Sequence, residues 1–297
     1  MIALLIVTAF SGCNFYMYRN GDLYSYGNTE IEKTVNKLDV EWASGAVRVE
    51  YYDGTTVSVS ETANKELIER TSLHYYLDEN GTLNIKYAAS GATGTLNLHK
   101  ELTVLLPNGY ELAKLDIGSS SAEVTVNGIS VREAEIGTSS GKINAVLSGS
   151  DSAELSSSSG NIAAELTDVD SIEIETSSGG VLLTTAGCTD MLDAETTSGK
   201  IDLTLENVKK LNAESSSGDM RITLGTVPAK SEIDTSSGSV SVFFPASPDF
   251  TAEIDTSSGD FDCEIPTTRN GDTCVSGNGQ NELRISTSSG DILFGSK

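Results

Sequence analysis

The chain has 297 residues, enough for one elongated domain or two compact ones. Its 43 acids and 19 bases give a formal charge of −24, which argues against nucleic acid or an anionic membrane surface as partner. The four cysteines form no CxxC, and the only histidines are His74 and His99, so no Cys/His cluster supports zinc.

The N-terminus reads MIALLIVTAFSGCN. Residues 2–10 are almost wholly apolar but too few to span a bilayer, where about 20 are needed. A short apolar core ending in small residues is the pattern of a secretory signal. Phe10-Ser11-Gly12-Cys13 resembles the lipobox of bacterial lipoproteins, in which the cysteine is lipidated and becomes the mature N-terminus. That makes Cys13 the lipidation candidate. Phe10 is a poor choice three positions before the cysteine, and no Lys or Arg precedes the apolar run. A cleaved signal and an uncleaved anchor therefore stay as alternatives. We read 1–13 as a signal- or lipoprotein-like segment and 14–35 as a tether.

From 36 to 111 the chain carries strand-like runs without a regular period: KLDVEWAS, AVRVEYY, TVSVSET, LHYYLD, TLNIKY and LTVLL. ANKELIER at 63–70 suggests a short helix. All ten tyrosines and the single tryptophan lie at or before Tyr110. Asp53-Gly54, Asn80-Gly81 and Asn108-Gly109 are hairpin-turn dipeptides. ASGAVRV at 43–49 is similar to a worn copy of the repeat that follows. This section is expected to be β-rich, continuous with the repeat, and to cap its first coil.

The repeat occupies 112–297. Its corner, written TSSG in most copies, ends in Gly141, Gly160, Gly179, Gly199, Gly218, Gly238, Gly259 and Gly290, at spacings of 19, 19, 20, 19, 20, 21 and 31. A degenerate copy 19 residues upstream has Ala122 in the glycine slot. A fixed period near 20 signals stacked structural repeats. Around each corner run two short polar–apolar alternations, such as Ala134, Ile136, Thr138 before it and Ile143, Ala145, Leu147 after it. Such alternation marks a strand with one buried face. Ser and Thr suit a bend, and glycine tolerates the backbone angles of a tight corner. A hairpin meander would pair the two strands of a unit, but the corners lack the Asn-Gly or Asp-Gly of two-residue hairpins. Repetition of residue types at one phase favours stacking each strand on its counterpart one period later. The expected fold is all-β: a parallel β-helix of about 19–21-residue coils, right-handed by the rule for parallel crossovers, with the β-rich N-terminal cap.

The 261–286 stretch interrupts the period and holds Cys263 and Cys274, 11 residues apart, with RNGD and SGNGQN. We expect a cap over the last coil, stapled by a disulfide between these cysteines, with a floppy side loop as the alternative. Cys188 is left over.

Chemistry is not indicated. A serine nucleophile needs a base, and both histidines lie upstream of the array. The array's acids, such as Glu135, Glu154, Glu173 and Glu175, fall at outward strand positions of a solvated face, and the array has no Tyr or Trp platform for a sugar. The slot after each corner glycine reads Lys142, Asn161, Gly180, Lys200, Asp219, Ser239, Asp260 and Asp291, without the fixed-phase Asp of a calcium-ladder repeat. No Gly-rich phosphate motif occurs. No catalytic, cofactor-binding or metal residues are assigned.

The repeated TSSG followed by Asp or Lys, the closing GNGQNELRISTSSGDILF and the upstream KLDVEWASGAVRVEYYDGTTVSVSET together resemble the bacterial "putative adhesin" β-strand-repeat family, a domain-of-unknown-function group. The resemblance covers about 36–297. It implies a β-solenoid outside the cytoplasmic membrane, no enzymatic activity and no catalytic residues to carry over. Two functions follow: an exported, adhesin-like interaction module that binds a surface ligand or an envelope protein, or a structural or stress-linked envelope component that self-assembles through solenoid ends. The membrane enters only through the N-terminal anchor. A binding module should carry apolar or aromatic residues that break the repeat pattern, and the Tyr-rich section and the 261–286 loop are the candidate surfaces.

Overall fold

The computed structural model describes residues 17–93, 95 and 97–297, so Cys13 and the apolar run before it lie outside the described residues. Contacts divide the chain into two units, 1–147 and 148–297. Among the described residues there is no α-helix, only a 3-10 turn at Gly21–Leu23. The 63–70 segment, read above as a short helix, is a strand end at Ala63, then bend and irregular chain, with a turn at 69–70. Glu61 and Asn64 take hydrogen bonds from Leu73 and His99 across it, holding it as a loop.

In the C-terminal unit every strand pair around the corners is parallel and in register. Ile162, Val181, Ile201, Met220 and Val240 stand one above another, as do Ala164, Leu183, Leu203, Ile222 and Val242. On the other strand of each coil the column runs Ile174, Ala194, Ala213, Ile233. All of these side chains are buried. Offsets of 19 or 20 residues put apolar residue over apolar residue, so each coil finishes the core of its neighbour, which is why no single copy can stand alone.

The stacking order departs from the chain order. Strand Lys230–Thr235 pairs not with Phe250–Thr256 but with Asn281–Thr287, and Val240–Phe244 pairs with Ile292–Ser296. Phe250–Thr256 and Phe261–Cys263 lie on the far side of those same two strands. The last repeat in sequence is thus inserted between the two that precede it. The outermost strand, Phe250–Thr256, is covered by the antiparallel strand Thr273–Ser276, itself paired to Thr268–Asn270. The expected cap exists, but it is the 264–280 stretch and it covers the 250–263 coil; 281–286 belongs to an internal coil. In the structure Cys263 and Cys274 are both free thiols, with Cys263 donating to the Ile265 carbonyl at 3.4 Å.

The N-terminal unit uses the same device. Lys37–Trp42 lies between Thr82–Lys86 and Leu112–Ser119, and Gly45–Tyr52 lies between Lys100–Pro107 and Glu123–Thr138, all parallel. The first coil in sequence is therefore an internal one. The ASGAVRV stretch does sit one coil from a true corner, with Ala46 opposite Glu123 and Val47 opposite Val124. Outside this stack, antiparallel strands close the edges: His74–Leu77 on Thr82–Lys86 across the Asn80-Gly81 turn, then Ser25–Tyr26; and Val57–Ala63 on Lys100–Pro107, then Thr29–Ile31. The 14–35 segment is accordingly folded against the unit from Tyr18 onward, where the Tyr18 N–H donates to Ser90 Oγ at 3.1 Å.

The TSSG corner has a specific job for each residue. The buried hydroxyl at its first position accepts the N–H of the corner glycine: Thr138 from Gly141, Thr176 from Gly179, Thr196 from Gly199, at 3.0–3.1 Å. Ser157 and Ser215 do the same, and Ser119 does it for Ala122 at 2.9 Å. Thr196 also donates to the Gly179 carbonyl one coil away at 3.3 Å. The two middle serines join coils by backbone, as Ser177 and Ser178 donate to the carbonyls of Ser157 and Ser158. None of the eight corner glycines has a positive φ, so the backbone-angle reading is corrected. Glycine is required by close approach: a β-carbon on Gly199 would stand 1.6 Å from the Gly179 carbonyl oxygen.

This assigns a cost to the corner hydroxyl. Thr196→Val keeps the shape but strands the buried Gly199 N–H, which should cost about 1–3 kcal/mol. Thr196→Ser, the residue found at 157 and 215, should cost well under half as much. Denaturant unfolding of the two variants checks this, and equal losses would refute the bonding role.

Candidate functional site

Register converts scattered acids into two columns on one face of the C-terminal unit. Glu173, Asp193, Asn212, Glu232, Arg284 and Glu253 form one, in stacking order. Glu175, Glu195, Glu214, Asp234, Ser286 and Asp255 form the other, two residues along each strand. Adjacent rungs of parallel strands are about 4.8 Å apart. Arg284 is the single cation in these columns. Asn212 softens the middle, donating to Asp193 at 3.0 Å and to Glu214 at 3.2 Å.

The charges are felt. Glu175 is held above the usual carboxylate range by burial first, then by Glu173 and Asp193. Asp193 is raised by burial and by Glu214, against the lowering bond from Asn212. Glu195 is raised by burial, then by Asp193, Glu214, Glu175 and Glu173. The N-terminal unit treats its outward column differently: Lys37 meets Asp116 at 3.0 Å, Lys86 meets Glu41 at 2.8 Å, and Lys114 meets Glu135 at 2.8 Å. One face is neutralised by lysines; the other is left negative.

A pH effect follows with a definite sign. Just above the ordinary carboxylate range, the folded chain holds protons on Glu175, Asp193 and Glu195 that the unfolded chain has lost. Stability therefore falls as pH rises through that window. In low salt the melting temperature of the C-terminal unit should be higher near about pH 5 than at neutral pH, and the gap should shrink in about 0.5 M salt. A melting temperature unchanged or lower at the acidic end would contradict the ladder's cost.

Other candidates resolve differently. Eight of the tyrosines fall into two groups. Tyr51, Tyr52, Tyr87 and Tyr110 are structural, donating to the carbonyls of Tyr110, Thr56, Leu98 and Val35. Tyr18, Tyr24 and Tyr76 form a surface row with ring centroids 4.7 and 5.6 Å apart, and Tyr26 lies by His74. The buried Lys100–Glu61 pair, 2.7 Å apart, is closed to solvent. Lys100 also donates to the carbonyls of Thr71 and Tyr87 and lies over the Trp42 and Tyr87 rings, so every face of the ammonium is occupied. His74 is buried against the Ser72 carbonyl, and His99 is exposed. No group of three His, Cys, Asp or Glu among the described residues could hold a metal ion. Leu182 and Met191 break the repeat pattern as exposed apolar side chains.

The acid ladder had a sequence signal in a slot not singled out above. The position before the corner hydroxyl reads Glu175, Glu195, Glu214, Asp234 and Asp255 at fixed phase.

No curated protein matches the chain. Among solved structures, a "putative lipid binding protein" from Parabacteroides distasonis ATCC 8503 is similar at 15% identity over 92% of this chain and 95% of that one, with a TM-score of 0.51. A "putative adhesin" from the same organism is similar at 13% identity over 91% and 97%, with a TM-score of 0.44. A family profile, Toastrack DUF4097, matches residues 35–293. The match runs from just before the first coil strand into the last one, and with it the family expected from the TSSG corners is borne out: the chain belongs to the Toastrack DUF4097 family.

Proposed function

We propose that the chain is a non-enzymatic, exported interaction module of the cell envelope, adhesin-like in action, held at the membrane through Cys13 and presenting a right-handed β-solenoid with coils of about 19–21 residues. The observation that carries this reading is the unneutralised carboxylate ladder. It lowers stability, yet its side chains are repeated at one phase on a rigid scaffold, an arrangement that suits a partner more than the fold. The partner it fits is a basic segment of another envelope protein. Blocked edges support this over self-assembly through solenoid ends: Thr273–Ser276 covers the outermost strand of the C-terminal unit, and Ser25–Tyr26 and Thr29–Ile31 close the N-terminal one.

The test is retention from envelope extract by the wild-type chain and by a Glu175→Gln/Glu195→Gln/Glu214→Gln variant. Loss of a salt-sensitive partner from the variant, with its fold intact, is expected. Retention of the same partners by both would overturn the ladder as the binding face.

The same reading places Cys263 and Cys274 in an oxidising compartment. Burial raises the Cys274 thiol, and Cys263 is near enough to add to the effect. We expect the pair to join there, two electrons and two protons passing to the envelope's thiol oxidant. Closing this 11-residue step would contribute about 3 kcal/mol. Non-reducing mass spectrometry of protein taken from the envelope would show the bond; two free thiols would contradict it.

A further inference from the structure

We propose that the face of the N-terminal unit built from 17–27, 64–71 and 87–92 lies on the phospholipid bilayer itself, at its interfacial region. The inference rests on anchoring through Cys13. Met17, Leu23, Tyr26 and Ile68 are 78, 51, 53 and 63% exposed, four of the seven large apolar side chains that are exposed among the described residues. Hydrogen bonds tie their three segments into one surface. Tyr18 bonds Ser90 and the Ala88 carbonyl, Gly27 donates to Leu73, Ala89 donates to Arg70, and Arg70 donates to the Gly91 carbonyl.

Three further observations select lipid as the occupant. Only three residues lie between Cys13 and Met17, and the four steps reach at most about 14 Å. Because the chain is already bonded into the fold at Tyr18, an anchor at Cys13 leaves no long spacer, and this face must sit close to the membrane surface. Second, the face is neutral in a chain of charge −24: Arg19, Lys65 and Arg70 are matched by Asp22, Glu66 and Glu69. It is a part of the molecule that an anionic surface does not repel. Third, the side chains mix apolar bodies with tyrosine hydroxyls, the composition of membrane interfaces.

The experiment has two arms. In the first, membrane fractionation compares the native chain with Cys13→Ala; release of the variant is expected, and no change would remove the anchoring reading. In the second, full-length chain whose Cys188, Cys263 and Cys274 are replaced by serine is coupled through Cys13 to a maleimide lipid in vesicles brominated in the upper acyl chain. Tryptophan is placed one position at a time by Leu23→Trp, Ile68→Trp or Leu182→Trp, with the buried Trp42 as a constant background. Loss of fluorescence at 23 and 68 but not at 182 is expected. Equal, unquenched signals at all three sites in the coupled protein would overturn the proposal, whatever the first arm shows.

Discussion

Gly199→Ala should destabilise the C-terminal unit by about 3 kcal/mol or more, a large effect for a single added methyl. The added β-carbon would meet the carbonyl oxygen of Gly179 at 1.6 Å and its carbon at 2.5 Å, both backbone atoms, and that oxygen accepts the Thr196 hydroxyl that ties the two coils. No rotamer change can relieve that contact; the coils must part or slide. Gly218→Ala should behave the same way, since the Gly199 carbonyl oxygen is again 1.6 Å from the new atom. At the degenerate corner the slot already holds a methyl group: Ala122 precedes the Glu123–Ala46 pairing, and the neighbouring coil turns there at Gly45 with a φ of +100°, unlike the true corners. Ala122→Gly should therefore cost only about 1 kcal/mol. Chemical denaturation of the three variants gives the comparison. Losses under about 1 kcal/mol at Gly199 and Gly218 would show that the coils have room the structure denies.

Phe294→Ala is the second large effect, expected at about 3–5 kcal/mol. Phe294 sits on the last strand of the chain, where an unpaired, partly exposed position would be the ordinary expectation. Instead it is fully buried, with its ring centroid 5.0 Å from Phe244, 5.8 Å from Phe250 and 5.1 Å from Phe261. Those rings belong to the coils on either side of it, so its removal opens a cavity between two neighbours at once. Calorimetry or urea unfolding measures the loss. A cost near that of an exposed surface change, about 0.5 kcal/mol, would mean that the last coil lies at the end of the stack.

Much of the fold was legible because burial follows a strict parity. Ile162, Ala164 and Leu166, or Ile201, Leu203 and Leu205, are apolar at alternate positions beside a corner of constant length, and every one of them is buried. Parallel stacking followed from repetition at one phase. The order of stacking was not legible, because the copy at 283–294 and the copy at 252–263 carry nearly the same pattern, so either fits the coil at 230–244 equally well by composition. What decides is the 264–280 stretch, whose Thr268–Asn270 and Thr273–Ser276 strands need the outer edge of Phe250–Thr256. The reason for the corner glycines was hidden for a similar cause: a close approach between coils leaves no mark in the local sequence that a special backbone angle would not also leave. The acid columns were present in the sequence as a fixed phase before the corner hydroxyl, but their meaning depends on the 19- and 20-residue offsets that bring Glu175 under Glu195 and Glu195 under Glu214.

The most direct test of the account is cross-linking across the inserted coil. With the native cysteines replaced by serine, Ser241→Cys/Leu293→Cys and Leu293→Cys/Asp262→Cys place each pair on neighbouring strands, whereas Ser241→Cys/Asp262→Cys places its pair two rungs apart. Two rungs are about 9–10 Å, beyond disulfide reach. Mild oxidation should yield covalent monomer for the first two pairs and none for the third. Rapid closure of the 241–262 pair, with 241–293 left open, would show that the coils stack in chain order and contradict the inserted terminal repeat.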